Sequence, residues 1–305
     1  FSPQVVDSLD LWAQQRSRLS SGRANASRQV ALLGASRVQF GLSPKHFRDE
    51  AARLSRPDID VVMLAVNAHY PLAALRDLSE DPNFRGLAIV GIDSRGFVRD
   101  AWDMQSKYVR HYRQQWSPAS MVSRQLRTIV QTHLVLGQNG NSLVTLLKAA
   151  VSGHVQLPRG DRSVQFFPDR SAATDYTRSD VTSIRAERVA GTLRAIRDYS
   201  SPSPQRWLED ADEIVSWVRK INDRGGRVVF YREPVSDETL LFEAIKFPRD
   251  RYWDALSKRM PAMMIQFSDY PELTIATPDT SHIDAVDIEQ HSRALVRVLV
   301  ATRAF

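Results

Sequence analysis

The stretch VALLGASRVQF, residues 30–40, decides the predicted fold. Its first four residues form an apolar run that predicts a buried strand, and Gly34 ends that run. Ser36 follows at the point where the apolar pattern resumes with the spacing of a helix. Open α/β sheets bind their ligands at the junctions that follow the carboxyl ends of strands, so a small hydroxyl here concerns function as well as fold.

Four further apolar runs predict strands, and most of them are continuous rather than alternating, as in parallel strands that are covered on both faces. With the first strand at 29–34, they occupy 60–66, 87–92, 227–231 and 262–267. Helical patterns separate them, and the clearest covers 205–224, where Gly225 supplies a stop. This alternation predicts an α/β protein with a doubly wound parallel sheet of about five strands.

The predicted organisation has three parts, which are an N-terminal helix and linker, an α/β domain and a long, mainly helical insertion. Their bounds are 1–28 for the helix and linker, 29–93 with 205–305 for the domain, and 94–204 for the insertion. Helical stretches in the insertion lie near 100–114, 118–136, 140–151 and 180–199, and a loop covers 157–171. The insertion is far too long for a plain crossover. It either caps the active face or has a structural or oligomerising role.

The composition excludes several classes of function. The chain has no cysteine, which rules out a disulfide framework, a thiolate metal site and a cysteine nucleophile. The histidines lack the spacing of a zinc site, and no glycine-rich phosphate motif is present, so we expect no metal and no cofactor. The net charge is +6, but the arginines are scattered between acids, which argues against nucleic acid as a partner.

A membrane contact is expected only outside the given sequence. No stretch reaches the 18 or so apolar residues that a spanning helix needs. The sequence begins at Phe1 in mid-pattern, and we therefore expect a signal or anchor upstream of it. The net positive charge is also compatible with a basic surface that faces an acidic polysaccharide or a membrane.

Two interpretations of Ser36 compete. If a helix begins near Arg37, the Ser36 hydroxyl points out of the carboxyl edge of the sheet, and the backbone N–H groups of Ser36 and Arg37 lack acceptors. Such donors can hold a developing oxyanion. The alternative is that Ser36 is an ordinary helix N-cap, which is a common role for serine.

A second stretch, PDTSHIDAVD at 278–287, carries the residue types that would activate Ser36. Asp279 and His282 are three residues apart, just before a terminal helix predicted over 285–301. A serine hydroxyl needs a base to take its proton, and a histidine held in one tautomer by a carboxylate serves best. The alternatives are an N-cap for Asp279 and a surface position for His282.

These motifs resemble those of the SGNH (GDSL-type) hydrolase superfamily, and within it the periplasmic SGNH-like proteins linked to acetylation of bacterial cell-surface polysaccharides. The similarity rests on Gly34-Ala35-Ser36-Arg37, on Gly41-Leu42-Ser43-Pro44 and on D-x-S-H-I-D at 279–284, and it covers roughly 28–93 and 205–305. It implies a flavodoxin-like α/β/α sandwich and metal-free ester hydrolysis or acyl transfer. It also implies that Ser36 is the nucleophile, His282 the base and Asp279 the orienting acid.

The sequence departs from the family pattern in its oxyanion donors. The family's second block offers a glycine and its third an asparagine, whereas this chain has VNAHY at 66–70 and VGID at 90–93. Asn67 is either a side-chain donor or a strand-end cap, and His69 is either a substrate contact or structural. The remaining oxyanion or substrate-binding candidates are Arg37, Arg95 and Arg232.

The resemblance implies a serine-dependent O-acyl esterase or transferase, with acetyl as the usual group, that acts on an envelope polysaccharide in the periplasm or cell envelope. The expected partners are a glycan carrying O-acyl groups and a membrane acyl-donor protein. The alternative is a weakly active or inactive SGNH-like protein that binds glycan or partners in a polysaccharide biosynthesis complex. The distance between Ser36 and His282 distinguishes the two, since only an enzyme needs them within hydrogen-bond reach.

Overall fold

A computed structural model describes residue 5 and residues 7–19, 28–133 and 163–305. Seven strands lie in these ranges, and five of them form one sheet that is parallel throughout, in the order β2-β1-β3-β6-β7. The strands are β1 (Gln29–Leu33), β2 (Asp60–Met63), β3 (Leu87–Gly91), β4 (Val164–Phe166), β5 (Ala172–Thr174), β6 (Arg227–Arg232) and β7 (Met263–Gln266). β4 and β5 pair with each other as an antiparallel ribbon.

Eleven α-helices lie in the described ranges, and short 3-10 turns occur between some of them. They are α1 (Leu9–Leu19), α2 (Ser36–Gly41), α3 (Pro44–Arg53), α4 (Leu72–Glu80), α5 (Ser106–Gln114), α6 (Pro118–His133), α7 (Val181–Asp198), α8 (Pro204–Asp223), α9 (Asp237–Lys246), α10 (Trp253–Ser257) and α11 (Ile288–Ala301).

The interior strand β1 shows why the strands have no polar face. Ala31 lies beside Val62 on one side and Ala88 on the other, so both edges of β1 are paired. All five of its residues are buried, and Val30 to Leu33 contribute alternately to two apolar clusters on opposite faces of the sheet. Because side chains alternate along a strand, a sheet covered on both faces requires apolar residues at every position.

Helices cover both faces, which confirms the predicted flavodoxin-like α/β/α sandwich. Trp12 of α1, Leu75 of α4 and Val218 of α8 belong to the cluster on one face. Phe47 of α3 and Leu295 of α11 belong to the cluster on the other face. α1 is anchored firmly, because the Trp12 indole is fully buried and donates to the Leu64 carbonyl at 3.0 Å.

Helix α8 follows the predicted limits closely. Ser203 caps it by accepting a hydrogen bond from the Arg206 backbone, and Pro204 occupies its first turn. At its other end Gly225 has a φ of +86°, a conformation that glycine adopts without a steric penalty. The local capping residues, rather than the apolar face alone, therefore set both ends.

The described parts of the insertion contain α5, α6, α7 and the β4–β5 ribbon. α5 begins at Ser106 rather than near residue 100, because two 3-10 turns occupy Ser94–Phe97 and Arg99–Ala101. The helix predicted at 140–151 and most of the linker at 20–28 lie outside the described residues. Within the described ranges, no helix has the length and apolar character needed to cross a membrane.

Candidate active site

The site lies where the strand order reverses, between β1 and β3, which is where open α/β sheets leave a crevice. Ser36 follows β1 and is the first residue of α2. The cap position belongs to Ala35, whose backbone is extended and whose side chain makes no capping bond. The interpretation of Ser36 as an N-cap is therefore wrong, and its Oγ instead lies 2.8 Å from Nε2 of His282.

A tight turn brings Asp279 and His282 together. Asp279 Oδ1 accepts hydrogen bonds from the backbone N–H groups of Ser281 at 2.9 Å and His282 at 2.7 Å. Asp279 does not cap the terminal helix, because Asp287 occupies the cap position of α11. Both the N-cap interpretation of Asp279 and the surface interpretation of His282 are wrong, since both side chains are largely buried.

The backbone of Thr280, inside this turn, is strained. Its φ is +72°, a region that a β-branched residue rarely adopts. Its backbone N–H donates to the Thr277 carbonyl at 2.8 Å, and its hydroxyl pairs with that of Thr239 at 2.9 Å. Strain of this kind persists only where the surroundings fix the conformation.

The three side chains form a continuous hydrogen-bonded series. His282 Nδ1 lies 2.8 Å from Asp279 Oδ2. A carboxylate only accepts, so Nδ1 carries the proton and Nε2 is left to accept from the Ser36 hydroxyl. Burial lowers the pKa of His282 and outweighs the opposing effect of Asp279. The imidazole is therefore neutral at pH 7 and able to take a proton.

Asp279 has two further partners, both from the insertion, that the sequence analysis missed. Arg188 of α7 places Nη2 2.9 Å from Asp279 Oδ2, and burial together with the nearby Asp279 carboxylate raises the pKa of the Tyr176 hydroxyl. Burial opposes ionisation of Asp279, but the hydrogen bond to His282 and the charges of His282 and Arg188 hold its pKa well below the ordinary value. The acid is therefore ionised across the physiological range.

A buried ion pair forms one wall beside Ser36. Arg37 donates to Asp93 Oδ2 at 3.0 Å and to Ser281 Oγ at 3.0 Å, and the Tyr70 hydroxyl donates to the same Asp93 oxygen at 3.2 Å. Burial works against both charges, yet Asp93 raises the pKa of Arg37, and Arg37 with Arg232 lowers that of Asp93. The Arg37 guanidinium therefore holds Asp93 and Ser281 in place at the site.

Glu233 is a third buried carboxyl at the site, in addition to Asp279 and Asp93, and no signal in the sequence pointed to it. Burial raises its pKa to about 7 against the pull of Arg37 and Arg232. Its Oε2 has no hydrogen-bond partner. Gly91 makes room for it, because a Cβ at that position would lie 2.3 Å from Glu233 Oε1.

A cavity of about 400 Å³ opens in front of Ser36. Of the predicted candidates, Arg37, Asn67, Arg95 and His282 line it with Ser36, whereas His69 and Arg232 do not. It continues into a second cavity of about 580 Å³, with which it shares six lining residues. The six are Arg37, Tyr70, Asp93, Arg95, Arg188 and Ser281.

His69 and Arg232 have other roles in the structure. His69 Nδ1 lies 2.7 Å from the Asn67 carbonyl, and its ring packs edge-on against Tyr108. Arg232 is buried and bonds through two nitrogens to Glu243. These contacts favour the structural interpretation of His69. They also correct the prediction of Arg232 as an oxyanion or substrate-binding residue, because its side chain lies outside the cavity in front of Ser36.

Metal ligands do not cluster in the part of the chain that the structure describes, where no group of three His, Cys, Asp or Glu residues is placed to hold an ion. Comparison with models of known protein families finds no match to this sequence. A search of curated proteins likewise finds no significant relative. Any functional conclusion therefore depends on the geometry described above and on the resemblance of the motifs.

Proposed function

We propose that this chain is a serine-dependent O-acyl esterase or transferase, with acetyl as the favoured group, that acts on a bacterial envelope polysaccharide. One observation carries the proposal: Ser36, His282 and Asp279 are joined by two hydrogen bonds of 2.8 Å each. Such an arrangement turns a weak hydroxyl into a nucleophile. The polysaccharide substrate and the periplasmic or envelope location follow from the SGNH resemblance alone.

The proposed reaction is a double displacement. His282 Nε2 takes the Ser36 proton while Oγ forms a bond to the acyl carbonyl carbon. The tetrahedral intermediate then breaks its bond to the sugar oxygen, which leaves with the proton from His282. Water or an acceptor hydroxyl then gives its proton to His282 and forms a bond to the acyl carbon. The bond from that carbon to Oγ breaks, and Ser36 takes the proton back from His282. Asp279 keeps the imidazole in the required tautomer throughout.

The oxyanion has two backbone donors within reach. The N–H groups of Ser36 and Arg37 open α2, where the first helical N–H groups have no acceptor within the helix. Asn67 lines the same cavity and supplies a side-chain amide. One oxyanion donor typically contributes about a hundred- to a thousand-fold in rate.

The cavity also suits an acidic glycan. The Arg95 guanidinium lies over the rings of Tyr199 at 4.9 Å and Phe242 at 5.8 Å. Among the described residues, no carboxylate forms an ion pair with it. A cation held by aromatic rings and open to the cavity favours a negatively charged sugar. In the transferase direction, a membrane acyl-donor protein is the expected source of the acyl groups, and the glycan is the acceptor.

The test is reaction with a fluorophosphonate, followed by intact-mass spectrometry and peptide mapping. We expect one adduct on Ser36, formed by loss of fluoride, and none in Ser36→Ala. Ser43→Ala is the matched control, because Ser43 caps the neighbouring helix α3 and accepts from the His46 backbone. That variant should label like the wild type.

A second candidate function, glycan binding without catalysis, is favoured by one observation. Polar groups near Ser36 are already engaged, since the Asn67 backbone N–H donates to Gln39 Oε1 at 2.9 Å and Arg37 is bound to Asp93. The labelling experiment separates the two. A folded protein that forms no adduct between about pH 6 and 9 contradicts the enzyme, and glycan-binding measurements then test the second function.

A further inference from the structure

A separate cavity of about 470 Å³ lies at the end of the sheet opposite to Ser36. It lies at the amino ends of four strands, and four arginines from four different segments line it. Arg28 precedes β1, Arg56 precedes β2, Arg85 precedes β3 and Arg227 is the first residue of β6. We call it the basal arginine cavity. A five-residue strand separates it from the Ser36 edge by roughly 16 Å.

Backbone carbonyl groups orient the side chains of two of these arginines without neutralising their charge. Arg85 donates to the carbonyl of Arg224 at 3.1 Å, and Arg227 donates to the carbonyl of Arg303 at 3.1 Å. Both acceptors are backbone groups just beyond the ends of α8 and α11. Each guanidinium has five N–H donors, so most of its donors remain available after one such bond.

The other two arginines are held more loosely. Arg56 stacks over the ring of Phe305 at 5.1 Å. Arg28 lies 3.4 Å from Asp58, in a pair whose side chains are 50% and 73% exposed. Exposed pairs of this kind contribute little. Among the described residues that line the cavity, four are arginines and none is acidic, so its lining is strongly positive.

We propose that the basal arginine cavity binds a phosphate-bearing anion, either a free di- or polyphosphate or the phosphate of a lipid headgroup. Guanidinium groups match the oxygens of phosphate with two parallel hydrogen bonds each. Four of them around one cavity suit an anion with several phosphate oxygens better than a single carboxylate. The volume lies within the usual range for ligand sites. The site is independent of the proposed reaction at Ser36.

The first test is calorimetric titration of the protein with inorganic pyrophosphate. Two cavity variants are compared, Arg28→Gln/Arg56→Gln and Arg85→Gln/Arg227→Gln, and the first of them leaves the helix ends untouched. The charge-matched control is Arg219→Gln/Arg259→Gln, at two exposed positions outside the cavity. We expect about a 100-fold loss of affinity in each cavity variant, roughly tenfold per guanidinium. The control should bind like the wild type.

The second test identifies the source of the phosphate by sedimentation with phosphatidylglycerol or phosphatidylcholine vesicles. A lipid headgroup is assigned if three results coincide. The wild type binds the phosphatidylglycerol vesicles, the cavity variants do not, and pyrophosphate displaces the wild type from the vesicles. Pyrophosphate binding without vesicle binding assigns a free phosphate compound. Equal binding by the cavity and control variants, or no binding of either probe by the wild type, overturns the proposal. Fluorophosphonate labelling of Ser36 should be unchanged in all variants, so the two proposals fail separately.

Discussion

Arg188 of the insertion contacts Asp279: its Nη2 lies 2.9 Å from Oδ2 of Asp279, the oxygen that also faces His282 Nδ1. One carboxylate oxygen is therefore shared between a permanent cation and the imidazole. Nε of the same guanidinium is buried and has no hydrogen-bond partner. Arg188 thus weakens the hold of Asp279 on a protonated His282 and repels that charge directly.

Replacing Arg188 by Gln should raise the pKa of His282. In the wild type, burial lowers this pKa most, and Arg188 and Arg37 lower it further against the effect of Asp279. The acid limb of the rate of Ser36 labelling against pH should therefore move to higher pH in Arg188→Gln. Arg197→Gln is the control, since Arg197 lies on the same helix and pairs with Asp198. An unmoved acid limb would contradict this coupling.

Asp279→Asn should abolish most of the labelling while the fold survives. The amide fits the same space but no longer requires the proton to sit on His282 Nδ1, so Nε2 loses its role as acceptor. In a serine triad this change costs about 10⁴ in rate. Labelling rates of the variant and the wild type at pH 8, with circular dichroism of both, provide the measurement. A loss below tenfold would show that Asp279 does not set the tautomer.

The fold and the proximity of Ser36, Asp279 and His282 were predictable because their signals are local. Val30 to Leu33 must be apolar at every position in a doubly covered strand, and strand ends in such sheets meet at one edge. The short motifs around Ser36 and His282 then fix which strand ends matter. None of this requires knowledge of how distant segments pack.

The missed residues depend on tertiary placement. Arg188 belongs to a helix whose pattern does not reveal which neighbour it covers, and Tyr176 lies in a short turn of the same insertion. At the end of β6 the sequence pattern predicted Arg232 as a site residue and gave no signal for Glu233. Consecutive residues there point to opposite sides, so Glu233 lines the cavity and Arg232 does not.

Glu233→Gln should change the pH dependence of stability. The folded-state pKa of about 7 exceeds the ordinary 4.5 because of burial, so the folded protein binds more protons between these values. Stability from the protonated side chain is therefore lost as the pH rises from about 4.5 to about 7, which amounts to roughly 3 kcal/mol. Glutamine stays neutral at every pH. The free energy of unfolding of the variant, relative to that of the wild type, should therefore be higher at pH 8 than at pH 5.

Urea unfolding at the two pH values measures this difference, and Glu209→Gln, at an exposed position on α8, is the control. If the unfolding free energies of Glu233→Gln and the wild type ran parallel from pH 5 to pH 8, Glu233 would be ionised in both states and its pKa would be ordinary.

His291 should produce the opposite dependence of stability on pH. Its Nδ1 faces the Gly41 carbonyl at 2.8 Å and so donates, while Nε2 accepts from the Tyr231 hydroxyl at 2.7 Å. Burial lowers the pKa of this imidazole from 6.5 to about 4. The unfolded chain therefore binds more protons in that range, and stability is lost as the pH falls from about 6.5 to about 4, again by roughly 3 kcal/mol.

Because the windows of His291 and Glu233 overlap, their contributions nearly cancel in the wild type between about pH 4.5 and 6.5. We expect the free energy of unfolding to fall with acidification in Glu233→Gln, where His291 still titrates and the lowered pKa of His282 acts in the same direction. In His291→Gln it should rise with acidification, on top of a loss of overall stability from the altered hydrogen bonds. Urea titrations at half-unit pH intervals measure both slopes. Two slopes of the same sign would contradict the assignment of these two groups.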